Sequence, residues 1–434
     1  NLISQLQTEA QEFGAISGAQ SIDIDGEKMT MQAASAELQK TDRAWREKIW
    51  NQINDVRQQD REKLDELFSR LIAKRHEVAS NADFQNFRDY KFAALGRFDY
   101  TKDDCFNFHE SIASEVTPVV ADLMKQRKEN LKVDQLRPWD LQVDPHGHSP
   151  LAPFKGVNDL VAGSIDTFKR VDDYCGSCLE TMNEMEYLDL ASKEGKSPGG
   201  YNYPLYEIGV PFIFMNAVGT QRDLVTMMHE GGHAVHSFLT RDLELTAFKS
   251  CPSEVAELAS MSMELISMDH WDVFYKDPKV LRRAKKDHLE DLLMVLPWIA
   301  IIDKFQHWVY ENPAHTIEAR AKAWTQIHDQ FTSPVVDYTG IESAKHSLWQ
   351  KQLHLFEVPF YYIEYGMAQL GAIAVWRNYK NDPSKAIAQY KGALSLGYTK
   401  SIGEIYEAAG ISFDFSQPYV KELIDFVKNE IKNL

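Results

Sequence analysis

Apolar and polar positions alternate at helical spacing over most of the chain. From Asp42 to Val78 there is no Gly or Pro. Trp45, Ile49, Ile53, Val56, Leu64, Leu67 and Leu71 recur there mostly three or four residues apart, with polar residues between them. That spacing gathers the apolar side chains on one face, which predicts helix over 29–79 with Thr41 as an N-cap. The same reading predicts helix over 103–131, 157–188, 279–309, 315–332, 342–356, 384–395 and 417–432. Strand signals are few. The clearest is LYEIGVPFIFMN, 205–216, where Val210, Phe212 and Phe214 alternate with Gly209, Pro211 and Ile213. The loop KEGKSPGGYNYP precedes it and marks a soft boundary near residue 195. There is no repeat of fixed period and no low-complexity tract.

The expected fold is therefore mostly α, with one small β-sheet. A helical lobe over 1–195 is followed by a lobe over 196–434 that carries the chemistry below, the two forming one continuous helical body. A chain of 434 residues can bury a sizeable core without covalent staples. Its four Cys residues do not make a disulfide framework at this length.

Charge narrows the partners. Lys and Arg number 47 against 64 Asp and Glu, a net charge of −17. That balance argues against nucleic-acid phosphate or anionic lipid as the main partner. The longest apolar run, 292–302, is interrupted by Pro297 and falls short of the about 20 residues of a membrane-spanning helix. No nucleic-acid and no membrane partner is expected. The chain opens on Asn1, not Met, and no signal-like segment follows. Asn1 is thus expected not to be the genetic start, and a cytoplasmic location is the expectation. The oligomeric state is unknown from sequence.

The candidate chemistry lies in TQRDLVTMMHEGGHAVHSF, 220–238. His229-Glu230-Gly231-Gly232-His233 is an H-E-x-x-H motif. On a helix, positions i and i+4 lie about 40° apart on one face, so two imidazoles can converge on one Zn²⁺. Glu230, beside the first of them, can then act as general base on a water at the metal. Thr220 and Asp223 resemble a capping box that would start the helix. Gly231 and Gly232 are poor helix formers, so their presence predicts close approach of another backbone or of substrate. A catalytic zinc commonly has a third protein ligand. The metzincin alternative would place a His where Leu239 stands. The segment SCPSEVAELASMSMELI, 250–266, instead offers Glu254, Glu257 and Glu264. On a helix these share one face with Met261, amid apolar neighbours that leave the carboxylates in want of a cation.

HEGGHAVHSF followed by SEVAELASMSMELI resembles the thimet oligopeptidase and oligoendopeptidase F family of zinc peptidases. In that family the third ligand is the Glu of an E-[VLP]-x-S segment some two dozen residues after the second His. Glu257-Leu258-Ala259-Ser260 fits, 24 residues after His233. The resemblance implies one Zn²⁺ per chain held by His229, His233 and Glu257. It places Glu254, His236 and Glu264 around those ligands. KSPGGYNYP resembles the family's Gly-Gly-Tyr loop and implies that Gly199, Gly200 and Tyr201 bind substrate, beside an edge strand that pairs with the peptide backbone. HLFEVPFYYIEYGMAQLGAIAVW, 354–376, resembles the C-terminal His and Tyr region. It implies that Tyr365, His354 and Tyr362 act on the scissile carbonyl and that Tyr361 lines the substrate site. Here the His-to-Tyr distance departs from thimet oligopeptidase and its Gly-rich linker is absent, so the oligoendopeptidase branch is the nearer match.

The resemblance covers roughly residues 30–430 and implies a helical zincin-like fold enclosing a substrate channel, with the family's N-terminal segment missing. It implies a zinc metalloendopeptidase acting on short, unstructured oligopeptides. A metallocarboxypeptidase on a related scaffold and a non-catalytic peptide-binding protein are the alternatives, and the intact Glu230 speaks against the second. Cys175-Gly-Ser-Cys178 lacks a thioredoxin-like setting, and HGHSP at 146–150 reads as a loop.

Overall fold

The computed structural model describes residues 2–193, 196 and 199–434. The soft boundary near residue 195 lies outside the described residues.

The chain begins with α1 (Leu2–Ala19), the strands β1 (Ser21–Ile24) and β2 (Glu27–Thr30), then α2 (Met31–Glu37), α3 (Arg43–Gln59), α4 (Arg61–Asn81) and α5 (Phe87–Ala94). Next come α6 (Lys102–Ser111), a π-helical turn (Ile112–Val116), α7 (Thr117–Leu131), α8 (Val157–Val171) and α9 (Asp173–Glu184). β3 (Leu188–Ala191), β4 (Tyr201–Tyr203) and β5 (Phe212–Ala217) precede α10 (Gln221–Thr240), α11 (Thr246–Lys249), α12 (Ser253–Ser267) and α13 (Pro278–Glu311). The remainder is helical: α14 (Ile317–Phe331), α15 (Glu342–His346), α16 (Leu353–Glu357), α17 (Ile363–Asn381), α18 (Pro383–Leu394), α19 (Ile402–Ala408) and α20 (Gln417–Asn433).

These elements form two compact units. The first is Asn1–Pro150 with Leu293–Ile363, and the second is Leu151–Leu292 with Glu364–Leu434. In the first, β1 and β2 pair as an antiparallel hairpin. Ile22 and Ile24 of that hairpin pack with Ala34, Leu38, Ile49 and Ile53. A second core region stacks Phe13 on Phe356 and sets Phe68 against Trp349. In the second unit, β5 is the central strand of a three-stranded sheet ordered β3-β5-β4, parallel to β3 and antiparallel to β4. α10 packs along α12, burying Leu224, Met227, Met228 and Val235 of one helix and Val255, Leu258, Ala259 and Met263 of the other.

Several expectations are corrected. Helix over 29–79 is interrupted: residues 29–30 close β2, and Asp60 (φ −97°, ψ 0°) ends α3. The N-cap is Asp42, whose side chain accepts from the Trp45 N–H, and not Thr41. The β1–β2 hairpin lies where helix signals are weak, and Asp25-Gly26, both at positive φ, is its turn dipeptide. Helix over 157–188 divides at Asp172, whose extended backbone and carboxylate cap α9. The strand expected over 205–216 covers only 212–217, because 205–209 forms a turn closed by Gly209 at φ +73°. Ile213, Met215 and Ala217 point inward, while Phe214 covers Tyr201 and Lys196 on the other face. By length and composition alone α13 could cross a membrane, but 72% of its most apolar stretch is buried within the protein.

Candidate active site

α10 starts where the sequence pattern places it. The Thr220 hydroxyl accepts from the Asp223 N–H, and the Asp223 carboxylate accepts from the N–H groups of Thr220, Val218 and Gly219. The helix then carries His229 and His233 one turn apart, with ring centroids separated by 4.8 Å and planes at 85°.

The two glycines between them are explained by packing. A Cβ on Gly232 would stand 2.7 Å from the Ser260 Cα and 2.8 Å from the Ala259 carbonyl of α12. A Cβ on Gly231 would meet the Phe168 ring of α8 at 2.5 Å. The close neighbour of Gly232 is thus another backbone, that of the helix bearing Glu257. α10 and α12 approach closely enough for Glu257 to reach both imidazoles.

Glu257 Oε2 lies 3.3 Å from His229 Nε2 and 3.7 Å from His233 Nε2. The ligand atoms of His229, His233 and Glu257 all fall within 4.8 Å of one another. Ser260 Oγ donates to the same Glu257 oxygen at 3.1 Å. Burial would raise the Glu257 carboxyl, but His229, His233 and Ser260 outweigh it and hold it to about 2. Burial lowers the His233 imidazole to about 4, keeping it neutral. Burial also opposes charge on His229, yet Glu257 and Glu264 flank that ring and raise its pKa well above the usual histidine range. Two imidazoles and a carboxylate are the donor set of an open divalent-cation site, and zinc is the cation that set suits.

Glu264, two turns beyond Glu257 on α12, sits 2.6 Å from His229 Nδ1. A carboxylate there favours the Nδ1–H tautomer and leaves Nε2 free to ligate. His288 Nε2 lies 3.6 Å from the other Glu264 oxygen. His288 was missed from sequence, since no spacing ties a histidine of α13 to a glutamate of α12.

Glu230 is 5% exposed, and among the described residues its Oε2 has no hydrogen-bond partner. Burial raises its carboxyl to about 7; Glu257 and Glu264 add to the rise, while His229 and the Asn202 backbone N–H oppose it. Asn202 belongs to β4, the edge strand, so Glu230 touches the strand that follows Gly199 and Gly200. The Asn216 side chain donates to the Gly199 carbonyl, and Gly199 itself has φ +103°. Tyr201 stacks on Phe214 at 4.9 Å and remains 49% exposed.

The other expected residues are distributed as follows. Glu254 is buried on the first turn of α12, where its carbonyl accepts from the Tyr406 hydroxyl. His236 is buried, with Nε2 3.4 Å from Cys251 Sγ, and burial lowers it to about 3. It points to Cys251 and is not among the converging donors. Tyr365 lies in the first turn of α17, in the second unit, and is half-buried. His354, Tyr361 and Tyr362 form a group in the first unit: the His354 ring packs edge-on to Tyr362 at 4.8 Å and stacks near Tyr361 at 6.0 Å. Gln352 Nε2 lies 2.7 Å from His354 Nδ1, and burial lowers that imidazole to about 4. Cys175 and Cys178 are free and buried on α9, where burial pushes both thiols up, Cys178 to about 12. His146 and His148 lie in a loop organised around Asp144 Oδ1.

Residues 37–424 match the family model for peptidase family M3. An oligoendopeptidase F homolog of Mycoplasma pneumoniae is 24% identical over 71% of this chain and 53% of its own length. Oligopeptidase PepF of Bacillus subtilis is 22% identical over 78% of this chain and 50% of its own. The chain thus spans about half the length of the curated relatives it matches. Among solved structures, a Pz peptidase A with an inhibitor superposes with a TM-score of 0.92 at 27% identity, covering 100% of this chain and 76% of that one. The oligoendopeptidase F of Enterococcus faecium shares the fold, with a TM-score of 0.69 at 16% identity over 99% of this chain and 71% of its own.

Proposed function

The chain belongs to peptidase family M3, and on that premise we propose that it is a zinc metalloendopeptidase of short, unstructured oligopeptides. The observation that carries the reading is the convergence of His229, His233 and Glu257 beside the buried, half-satisfied carboxyl of Glu230.

His229, His233 and Glu257 would hold the ion. Bound there, Zn²⁺ supplies Lewis-acid polarisation of the scissile carbonyl and of the attacking water. Glu230 is the proton carrier. Its burial brings the carboxyl to about 7, so it can take a proton from water and release it to the leaving amine near neutral pH. The Asn202 N–H fixes Glu230 against the edge strand, and the exposed side of β4 is the proposed dock for an extended peptide backbone. Tyr365 is the proposed hydrogen-bond donor to the developing oxyanion. That role for Tyr365 comes from the family resemblance of its segment.

The test is mass spectrometry of products from a mixed peptide library, with and without a chelator, on wild type and Glu230→Gln. Chelator-sensitive internal cuts absent from Glu230→Gln are the expected result. Trimming confined to C-termini would replace the endopeptidase reading with a carboxypeptidase one, and binding without cleavage would replace both.

A further inference from the structure

A second constellation of metal-binding side chains lies in the first unit and shares no residue with the site above. α6 presents Cys105 and His109 one turn apart; α13 presents Asp303 and His307 with the same spacing. The four are 0%, 1%, 0% and 2% exposed. Donor atoms of Cys105, Asp303 and His307 lie within 4.8 Å of one another. His109 Nε2 is 2.8 Å from Asp303 Oδ2, and His307 Nε2 is 3.3 Å from that same oxygen.

Two features mark this cluster as more than a buried hydrogen-bond network. The first is incomplete pairing. Among the described residues, Asp303 Oδ1, His109 Nδ1 and both ring nitrogens of His307 are buried without a hydrogen-bond partner. His307 Nε2 is near enough to Asp303 for an ion pair, but the contact falls outside hydrogen-bond alignment. The second is charge. Among the described residues no Lys or Arg pairs with Asp303, whose ion-pair partners are the two imidazoles alone. The surroundings are aromatic: Phe106, Phe360 and Phe92 stand 5.0, 5.3 and 6.1 Å from the His307 ring. A carboxylate so far from water calls for a cation.

We propose that Cys105, Asp303 and His307 bind a divalent transition metal of the zinc class, with His109 as the positioning residue that holds the Asp303 carboxylate. A thiolate and an imidazole select zinc-like ions over magnesium or calcium, which prefer oxygen donors throughout. On binding, the Cys105 thiol gives up its proton to solvent. The thiolate and the carboxylate then balance the dication, so the buried centre is neutral. The metal ties α6 to α13 inside the first unit, and its effect is on stability of that unit.

The experiment uses a chain whose proposed catalytic donors are removed, His233→Ala with Glu257→Ala, reconstituted with Co²⁺ and dialysed. The expected result is one retained equivalent and a thiolate-to-cobalt charge-transfer band in the near ultraviolet. Adding Cys105→Ser should abolish both. His307→Gln should at least abolish the equivalent, and stands in where Cys105→Ser fails to fold by circular dichroism. Absence of retained cobalt in the chain with Cys105 and His307 intact overturns the proposal, as does a band that survives Cys105→Ser. Wild type should hold two equivalents; a loss of the catalytic one alone would reflect on the peptidase reading and leave this site standing.

Discussion

His229 is gripped on both ring nitrogens by carboxylates from one helix: Glu264 lies 2.6 Å from Nδ1 and Glu257 lies 3.3 Å from Nε2. The two glutamates are two turns apart on α12, so a single helix face supplies both the candidate ligand and the group that orients its neighbour. Metal affinity should therefore respond to both positions, in graded fashion. Glu257→Ala removes one of three ligands and should leave the protein nearly zinc-free after dialysis. Glu264→Ala should weaken zinc by about 10–100-fold, as loss of an outer partner does. Competition against a chromophoric chelator measures this. Equal affinity in Glu257→Ala and wild type would remove Glu257 from the ligand set.

Chemistry and metal binding should separate at Glu230. Glu230→Gln keeps the side-chain shape and should keep zinc and thermal stability, while turnover falls by at least about 10²–10⁴, the range of general base catalysis. Tyr365→Phe should also stay metallated and lose about 10²–10³, the cost of one oxyanion donor. Steady-state kinetics alongside metal analysis gives the ordering. Near-normal turnover in fully metallated Glu230→Gln would end the assigned mechanism.

Gly232→Ala should damage the site from a distance. The added Cβ meets the backbone of Ser260 and Ala259, which cannot rotate away, so α10 and α12 must separate. Overpacking of this kind costs about 1–3 kcal/mol. Because Glu257 rides on α12, zinc affinity should fall with the melting temperature. A variant that melts like wild type and binds zinc as tightly would show that the helices have room to spare.

A pH effect is expected in the first unit. Arg43 Nη2 and Arg46 Nη2 approach Asp140 at 2.9 and 2.8 Å. Burial raises the Asp140 carboxyl, but the two guanidinium groups and the Arg137 N–H outweigh it and hold it below the ordinary range. A carboxyl depressed in the fold stabilises fully above its unfolded pKa of about 3.9. That contribution is lost as pH falls through the folded value. Asp140→Asn, which leaves the buried Arg46 unpaired, should cost about 3–5 kcal/mol near neutrality. The gap in melting temperature between variant and wild type should narrow as pH drops below about 4. A gap constant across that range would show that the ion pair is not its source.

Local periodicity was enough for much of this molecule. The H-E-x-x-H spacing places His229 and His233 on one face wherever the segment is helical, because that geometry depends only on residues four apart. The Thr220–Asp223 cap and the limits of α13, α14, α18 and α20 were readable for the same reason, within two residues at each end. Resemblance to a family, not geometry, singled out Glu257 among three glutamates on one face. Other features had no local signature. The inward face of β5 is one, since Phe212-Ile213-Phe214-Met215 is apolar on both faces and only the neighbouring elements decide which side is inward. The breaks at Asp60 and Asp172 occur at residues that a helical pattern tolerates. His288 reaches Glu264 from a helix with no sequence relation to it. His109 and Asp303 stand 194 residues apart in the chain, and Gly232 is needed because of a backbone on another helix. Such relations arise only when distant helices pack, because close packing selects partners by shape and distance in space, and neither is encoded in the spacing of residues along one segment.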